Sequence, residues 1–203
     1  MEFRIRLATA RDQEAVEEVT CAAYQPWVEV VGGRPGPMDA DFASLIGDRK
    51  VHVAVADGAS GLHPSVGGVL VQAIEESALL IENVAVHPAH QYRGLGLALV
   101  TFAEDTARAC GLAAVRLYTH ERMATNIAWY EQLGYVISGT EPIESGRLVH
   151  LRKSRSGAPS SAPWPSAHPA AARPPKPSSG CSEPSPQSGF GGWRHRRPAA
   201  LMG

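Results

Sequence analysis

The residues best placed to meet an anion lie in the segment Gln91-Tyr92-Arg93-Gly94-Leu95-Gly96, between the apolar run Val84-Ala85-Val86 and a helical pattern that starts near Leu95. Glycines at 94 and 96 let backbone N–H groups face a ligand with no Cβ in the way. The first turn of a helix adds unpaired N–H donors and the positive end of the helix dipole, so the turn suits a pyrophosphate. Arg93 adds a charge-assisted contact. Two glycines also permit nothing more than a tight strand-to-helix turn. A dinucleotide fingerprint would want a small residue at 99 and an acid about 20 residues on; the chain has Leu99, and Arg116 in the following strand. No Gly-Lys-Ser/Thr of a P-loop is present. A second chemical signal is Glu82, followed by Asn83, inside the otherwise apolar stretch Leu79 to Val86. A charge there is expensive unless paired, and functional sites tolerate such costs; a neighbouring Arg, or a place at the strand's wet end, accounts for it as well.

These residues need elements to hold them. Phe3 to Leu7 alternates like a short strand, and Thr9 can cap a helix over about Ala10 to Ala23 with Ala15, Val16, Val19, Ala22 and Ala23 on one face. Turn residues from Gly32 to Pro37 separate it from a second helix around Asp39 to Ile46. Val51 to Ala56 and Val66 to Ile74 form an antiparallel hairpin across Asp57 to Gly61, and Leu79 to Val86 reads as a central strand covered on both faces. A long helix runs from about Gly94 to Ala109 and stops at Gly111. Ala114 to Tyr118 is a strand, Ala124 to Leu133 a helix ended by Gly134, and Tyr135 to Ser138 and Arg147 to Arg152 close the order βααβββαβαββ.

The segment Gln91 to Gly96 fits the signature Arg/Gln-x-x-Gly-x-Gly/Ala, and with this element order residues 3 to 153 resemble the GNAT superfamily of acetyl-CoA-dependent N-acetyltransferases. The resemblance implies a mixed α/β (α+β) fold with a mostly antiparallel sheet flanked by helices. It also implies that the N–H groups of residues 91 to 96 hold the CoA pyrophosphate, and that main-chain groups of Val84, Ala85 and Val86 align the pantetheine arm and polarise the thioester carbonyl. In Glu121 to Tyr135 the tyrosine before x-x-x-Gly-Phe/Tyr is Tyr130, which in the family lies near the sulfur and protonates it as it leaves. A phenol with a pKa near 10 stays protonated at neutral pH and suits that task; an aromatic core residue is the plainer reading. Many relatives place an Asn seven residues earlier, where this chain has Met123; Asn126, on the same helix face as Tyr130, is the nearest substitute for contact with the cofactor.

Amine attack needs a neutral nitrogen, which makes Glu82 the leading general base, with His87 and His120 behind it. The resemblance implies a ternary complex with direct attack on the thioester. Tyr24, Trp27 and Glu29, with Asp39 and Asp41, can receive a cationic amine through aromatic and ionic contacts, although Trp27 suits packing equally. The acceptor is a small-molecule or protein amine that the residues do not name. A CoA-binding sensor or interaction module on the same fold is the alternative to an enzyme.

Composition frames this reading. Up to Lys153 the chain has 13 basic and 19 acidic residues, a formal charge of −6, whereas 154–203 carries +5 and ten of the 16 prolines. That Pro/Ser/Ala/Gly-rich segment has too little apolar surface to offset its ordering entropy, so it reads as a disordered basic tail beside a domain of residues 1–153. Arg194-His195-Arg196-Arg197 with Trp193 is a weak patch, and no nucleic-acid partner is expected. Cys21, Cys110 and Cys181 suit a reducing compartment, no metal pattern is present, and no run approaches the ~18 apolar residues of a membrane span. With no signal-peptide pattern at the N-terminus, a cytoplasmic location is expected. Oligomeric state, a homodimer included, is left open.

Overall fold

The computed structural model describes residues 3–56 and 65–154. The segment around the expected turn at Asp57 to Gly61 and the tail with Cys181, Trp193 and its arginines therefore lie outside the described residues. Strand β1 (Phe3–Leu7) leads through a 3-10 turn at Ala10–Asp12 into α1 (Gln13–Tyr24). There the Asp12 carboxylate accepts the Thr9 N–H and hydroxyl, each at 2.8 Å. The buried stripe of α1 is Val16, Val19 and Thr20, rather than the all-aliphatic stripe that spacing suggested. A short helix, α2 (Trp27–Val31), and a 3-10 turn at Gly36–Asp39 precede α3 (Phe42–Gly47). No element is expected over Trp27–Val31 from the sequence. Five residues are too short for a period, but Gly32 at φ 78° ends them as an αL cap.

The rest follows in order: β2 (Val51–Ala56), β3 (Ser65–Glu75), β4 (Ala78–Val86), α4 (Leu95–Ala109), β5 (Ala114–His120), α5 (Ala124–Gln132), β6 (Val136–Ile143) and β7 (Gly146–Ser154). They form one seven-stranded sheet, β1-β2-β3-β4-β5-β7-β6, antiparallel except for the β4–β5 pair. β7 runs to Ser154, which pairs with Ala114, one residue past the expected domain end. One core, under α1 and α3, contains Val16, Val19, Phe42, Val53, Val69 and Ala85; the other, under α4 and α5, contains Leu79, Ile81, Leu99, Ala103, Leu117 and Leu151. Gly68 lets α4 sit close on β3, since a Cβ there would stand 2.9 Å from Leu99 Cδ1.

β4 carries two departures from a plain strand. Val71 of β3 pairs with Asn83 and Gln72 pairs with Ile81, so Glu82 is the extra residue of a β-bulge. Side chains alternate faces along a strand, and an extra residue shifts the alternation by one. Leu79 and Ile81 therefore pack under α4 before the bulge, whereas after it Val84 and Val86 take that face and Ala85 turns to α1. The second departure is in pairing. β4 and β5 are joined only from Ala78–Ile81 to Ala114–Leu117. Beyond that β4 stays with β3 as far as Val86, and β5 stays with β7 as far as His120, so the sheet opens as a wedge.

Candidate active site

At the β4 end of the wedge the chain makes a 3-10 turn at Pro88–His90 and enters α4. Gly94 is the N-cap of α4 with φ 80°, a conformation that glycine adopts without a Cβ penalty. Tyr92 has φ 60° and is fully exposed, and Arg93 is exposed beside it. The first backbone bond of the helix runs from Ala98 N–H to Gly94 O at 3.0 Å, which leaves the N–H groups from Tyr92 to Leu97 ahead of it. Gln91 departs from expectation: its N–H is spent on Pro88 O at 3.3 Å and its side chain donates to Val86 O at 3.0 Å. It braces the turn, so the anion-facing donors begin at Tyr92. A Cβ on Gly96 would stand 3.6 Å from Trp129 Cη2 and 3.8 Å from Val86 Cγ2, so the first turn of α4 is seated against both.

Three phenols belong to the elements around the wedge. Tyr130 of α5 is buried, its ring between those of Trp129 and Tyr135 at centroid distances of 4.9 and 5.8 Å. Burial pushes its hydroxyl above the ordinary phenol range. Tyr24, at the end of α1, is likewise pushed up, by burial first and then by Tyr130 and Tyr118. The Tyr24 hydroxyl donates to Asn83 Oδ1 at 3.0 Å, closing the base of the wedge from the α1 side. Tyr118 of β5 packs against His150 at 6.0 Å between ring centroids. Glu82 is half-buried at the bulge, Asn126 is half-buried in the first turn of α5, and Met123 is the buried cap of that helix.

Sequence reasoning missed the places of Asn83, Tyr118 and Trp129. The polar break at Asn83 was the one visible signal. Other candidates have structural jobs. Asp39 is ion-paired with Arg34 at 2.6 Å, and Asp41 caps α3 by accepting the Ser44 N–H at 3.0 Å. His87 Nδ1 accepts the Ala89 N–H, and His120 Nδ1 accepts the Arg122 N–H. Trp27 is half-buried at the start of α2, and Glu29 is exposed on it. Arg122 Nη1 donates to Val30 O at 3.4 Å, which ties α2 to the loop before α5. A pocket of about 440 Å³ lined by Leu7, Thr9, Gln13, Ile46 and Arg49 lies at the opposite end of α1 and holds none of these groups. Among the described residues no cluster of three or more His, Cys, Asp or Glu is placed for a metal ion, and no helix is long and apolar enough to cross a membrane.

The profile of the acetyltransferase (GNAT) family matches residues 21–135, a span that contains the wedge, the turn and all three phenols. The chain belongs to the GNAT family. A curated relative, the L-methionine sulfoximine/L-methionine sulfone acetyltransferase of Salmonella typhimurium, is 33% identical over 72 residues. That match spans 34% of this chain and 42% of the relative, less than half its length. Among solved structures, the ribosomal-protein-S18-alanine N-acetyltransferase of Escherichia coli superposes with a TM-score of 0.61 at 21% identity, over 79% of this chain and 99% of that one. The yncA protein of Salmonella typhimurium, described with its cofactor acetyl-CoA, superposes with a TM-score of 0.56 at 20% identity, over 80% of this chain and 100% of that one. These likenesses establish the GNAT fold, with its mostly antiparallel sheet, for this chain.

Proposed function

We propose that the protein transfers an acetyl group from acetyl-CoA to a primary amine by direct attack within a ternary complex. The observation that carries this is the wedge between β4 and β5, with the N–H groups from Tyr92 to Leu97 at one end. The N–H groups of Tyr92, Arg93, Gly94, Leu95 and Gly96 hold the pyrophosphate, with the Arg93 charge near it. Main-chain groups of Val84, Ala85 and Val86, which have left β5, align the pantetheine arm. Asn126 contacts the same arm from α5. Tyr130, kept protonated by burial, gives its proton to the departing sulfur. Glu82 takes the proton of the amine, directly or through water. The acceptor enters from the α1 side, past Tyr24, Trp27 and Glu29, and the −6 charge of the first 153 residues favours a cation there. The catalytic unit is residues 1–153 extended by Ser154, the remainder is an appendage, and the setting is the cytoplasm.

Thermal unfolding with and without saturating acetyl-CoA, together with thiol release across amines, tests this. The amines include L-methionine sulfone and a peptide that begins with alanine, the acceptors named for the two relatives. A ligand bound only by the native state adds about 2.7 kcal/mol at a hundred times its dissociation constant. A raised midpoint with thiol release is expected. A raised midpoint without release from any amine points to a CoA-binding module, and an unmoved midpoint removes the cofactor site.

A further inference from the structure

Asn83 is 2% exposed, yet only one of its two side-chain polar atoms has a partner. Oδ1 accepts the Tyr24 hydroxyl at 3.0 Å, while Nδ2 has no partner within the protein. Leaving a buried amide donor unsatisfied is costly, and most such atoms in folded proteins find a partner. The location of this one is specific. Asn83 follows the bulge at Glu82, in the part of β4 that has left β5, and the shifted alternation turns it toward α1 and Tyr24. Tyr24, which fixes the other end of the amide, shares its surroundings with Tyr118 and Tyr130. On the acetyl-transfer reading the pantetheine arm runs from the turn at Tyr92 back along Val86 to Val84, so its thioester end arrives at Asn83, the next residue of the strand.

We propose that Asn83 is a catalytic residue, its Nδ2–H donating a hydrogen bond to the acyl oxygen of the bound thioester as that oxygen becomes an oxyanion, with Tyr24 holding the amide in place. This rests on the acetyl-transfer reading above. The amine lone pair forms the C–N bond and the carbonyl π pair moves to oxygen, where Asn83 meets the charge. The pair then returns, the C–S bond breaks with its electrons on sulfur, and the Tyr130 proton passes to the thiolate. The nitrogen releases one proton to Glu82 or water, and solvent reprotonates Tyr130. Asn83 keeps its protons throughout. Donation by Tyr24 to Oδ1 polarises the amide and strengthens its N–H as a donor, and a fixed donor aimed at a developing charge is worth most in a site closed to water.

The test uses the full chain with acetyl-CoA labelled with ¹³C at the acetyl carbonyl, followed by isotope-edited infrared spectroscopy, in wild type, Asn83→Ala and Asn83→Asp. The bound carbonyl stretch is expected at lower frequency in wild type than in either variant. With whichever amine the wild type accepts, kcat falls by about 10²–10³-fold in both variants at nearly unchanged acetyl-CoA affinity. Asp is as defective as Ala because a carboxylate only accepts. If the variants do not fold, Tyr24→Phe, which releases the amide, is expected to raise the carbonyl frequency part of the way. A carbonyl stretch identical in wild type and variants, or equal to that of free acetyl-CoA in the wild type, overturns the proposal. So does a loss confined to the KM of the amine. A wild type that neither binds acetyl-CoA nor releases thiol overturns the transfer reading itself; a wild type that turns over, with variants that match it, overturns the Asn83 role alone.

Discussion

Tyr130 packs its ring against those of Trp129 and Tyr135. Tyr130→Phe keeps the ring and removes the proton. We expect kcat to fall by about 10- to 10²-fold, within the range for general acids, while calorimetry finds acetyl-CoA affinity unchanged. An unaltered kcat near neutral pH takes Tyr130 out of the acid role. Because burial raises its pKa, Tyr130 stays protonated through the usual phenol value near 10, so a basic limb in the rate at or below that pH belongs to another group. At this scale the sequence was informative about kind and poor about direction. Glu82 and Asn83 stood out as polar residues in an apolar strand. Their separate fates, one in a bulge and one facing Tyr24, depend on the register with β3, which is a non-local pairing and leaves no local trace.

Elements were easier to read than their joints. The hairpin of β2 and β3, the α4 period with its glycine on either side, and α5 ended by Gly134 all follow from local patterns, and the structure has them within a residue or two. The start of α1 was blurred by a 3-10 turn, α2 was too short to announce itself, and the role of Gln91 depended on a bond to Val86 O that spacing does not reveal. The joint between β4 and α4 is where substitution should be felt most. Gly94 has open space around it, but its φ of 80° strains any residue with a Cβ, and a carboxylate there opposes a pyrophosphate. Gly94→Glu is expected to weaken acetyl-CoA binding by at least about tenfold, or 1.4 kcal/mol, at a thermal midpoint lowered only slightly. Unchanged affinity in calorimetry would remove the turn from the cofactor site.

For the molecule as a whole, the first strand and first helix are locked by Arg6 and Asp12, whose bidentate contacts are 2.8 Å each. The Arg6 guanidinium holds the Asp12 carboxyl down at about 2. A carboxyl lowered on folding adds stability that is complete above its unfolded value near 3.9 and is lost as pH falls toward 2. Asp12→Asn should therefore lower stability at pH 7 by about 1–2 kcal/mol, with the difference from wild type shrinking below pH 4 in denaturant titrations. A chain ended at Ser154, which keeps β7 whole, should unfold at the same midpoint and turn over as the full chain does; a lower midpoint or rate would give residues 155–203 a part in the domain. The bulge in β4 has a further consequence. The strand has two reading frames, one on each side of Glu82, and the second presents Ala85 to α1 and Val84 and Val86 to α4. Deleting Glu82 removes the bulge and joins the frames without turning any neighbour, since Ile81 and Asn83 already face opposite sides as consecutive residues of a plain strand do; what is lost is the bend and added twist at the point where β4 parts from β5. At Glu82 the protein has one residue more than its ladder needs, and the extra residue serves the bend rather than the facing of its neighbours.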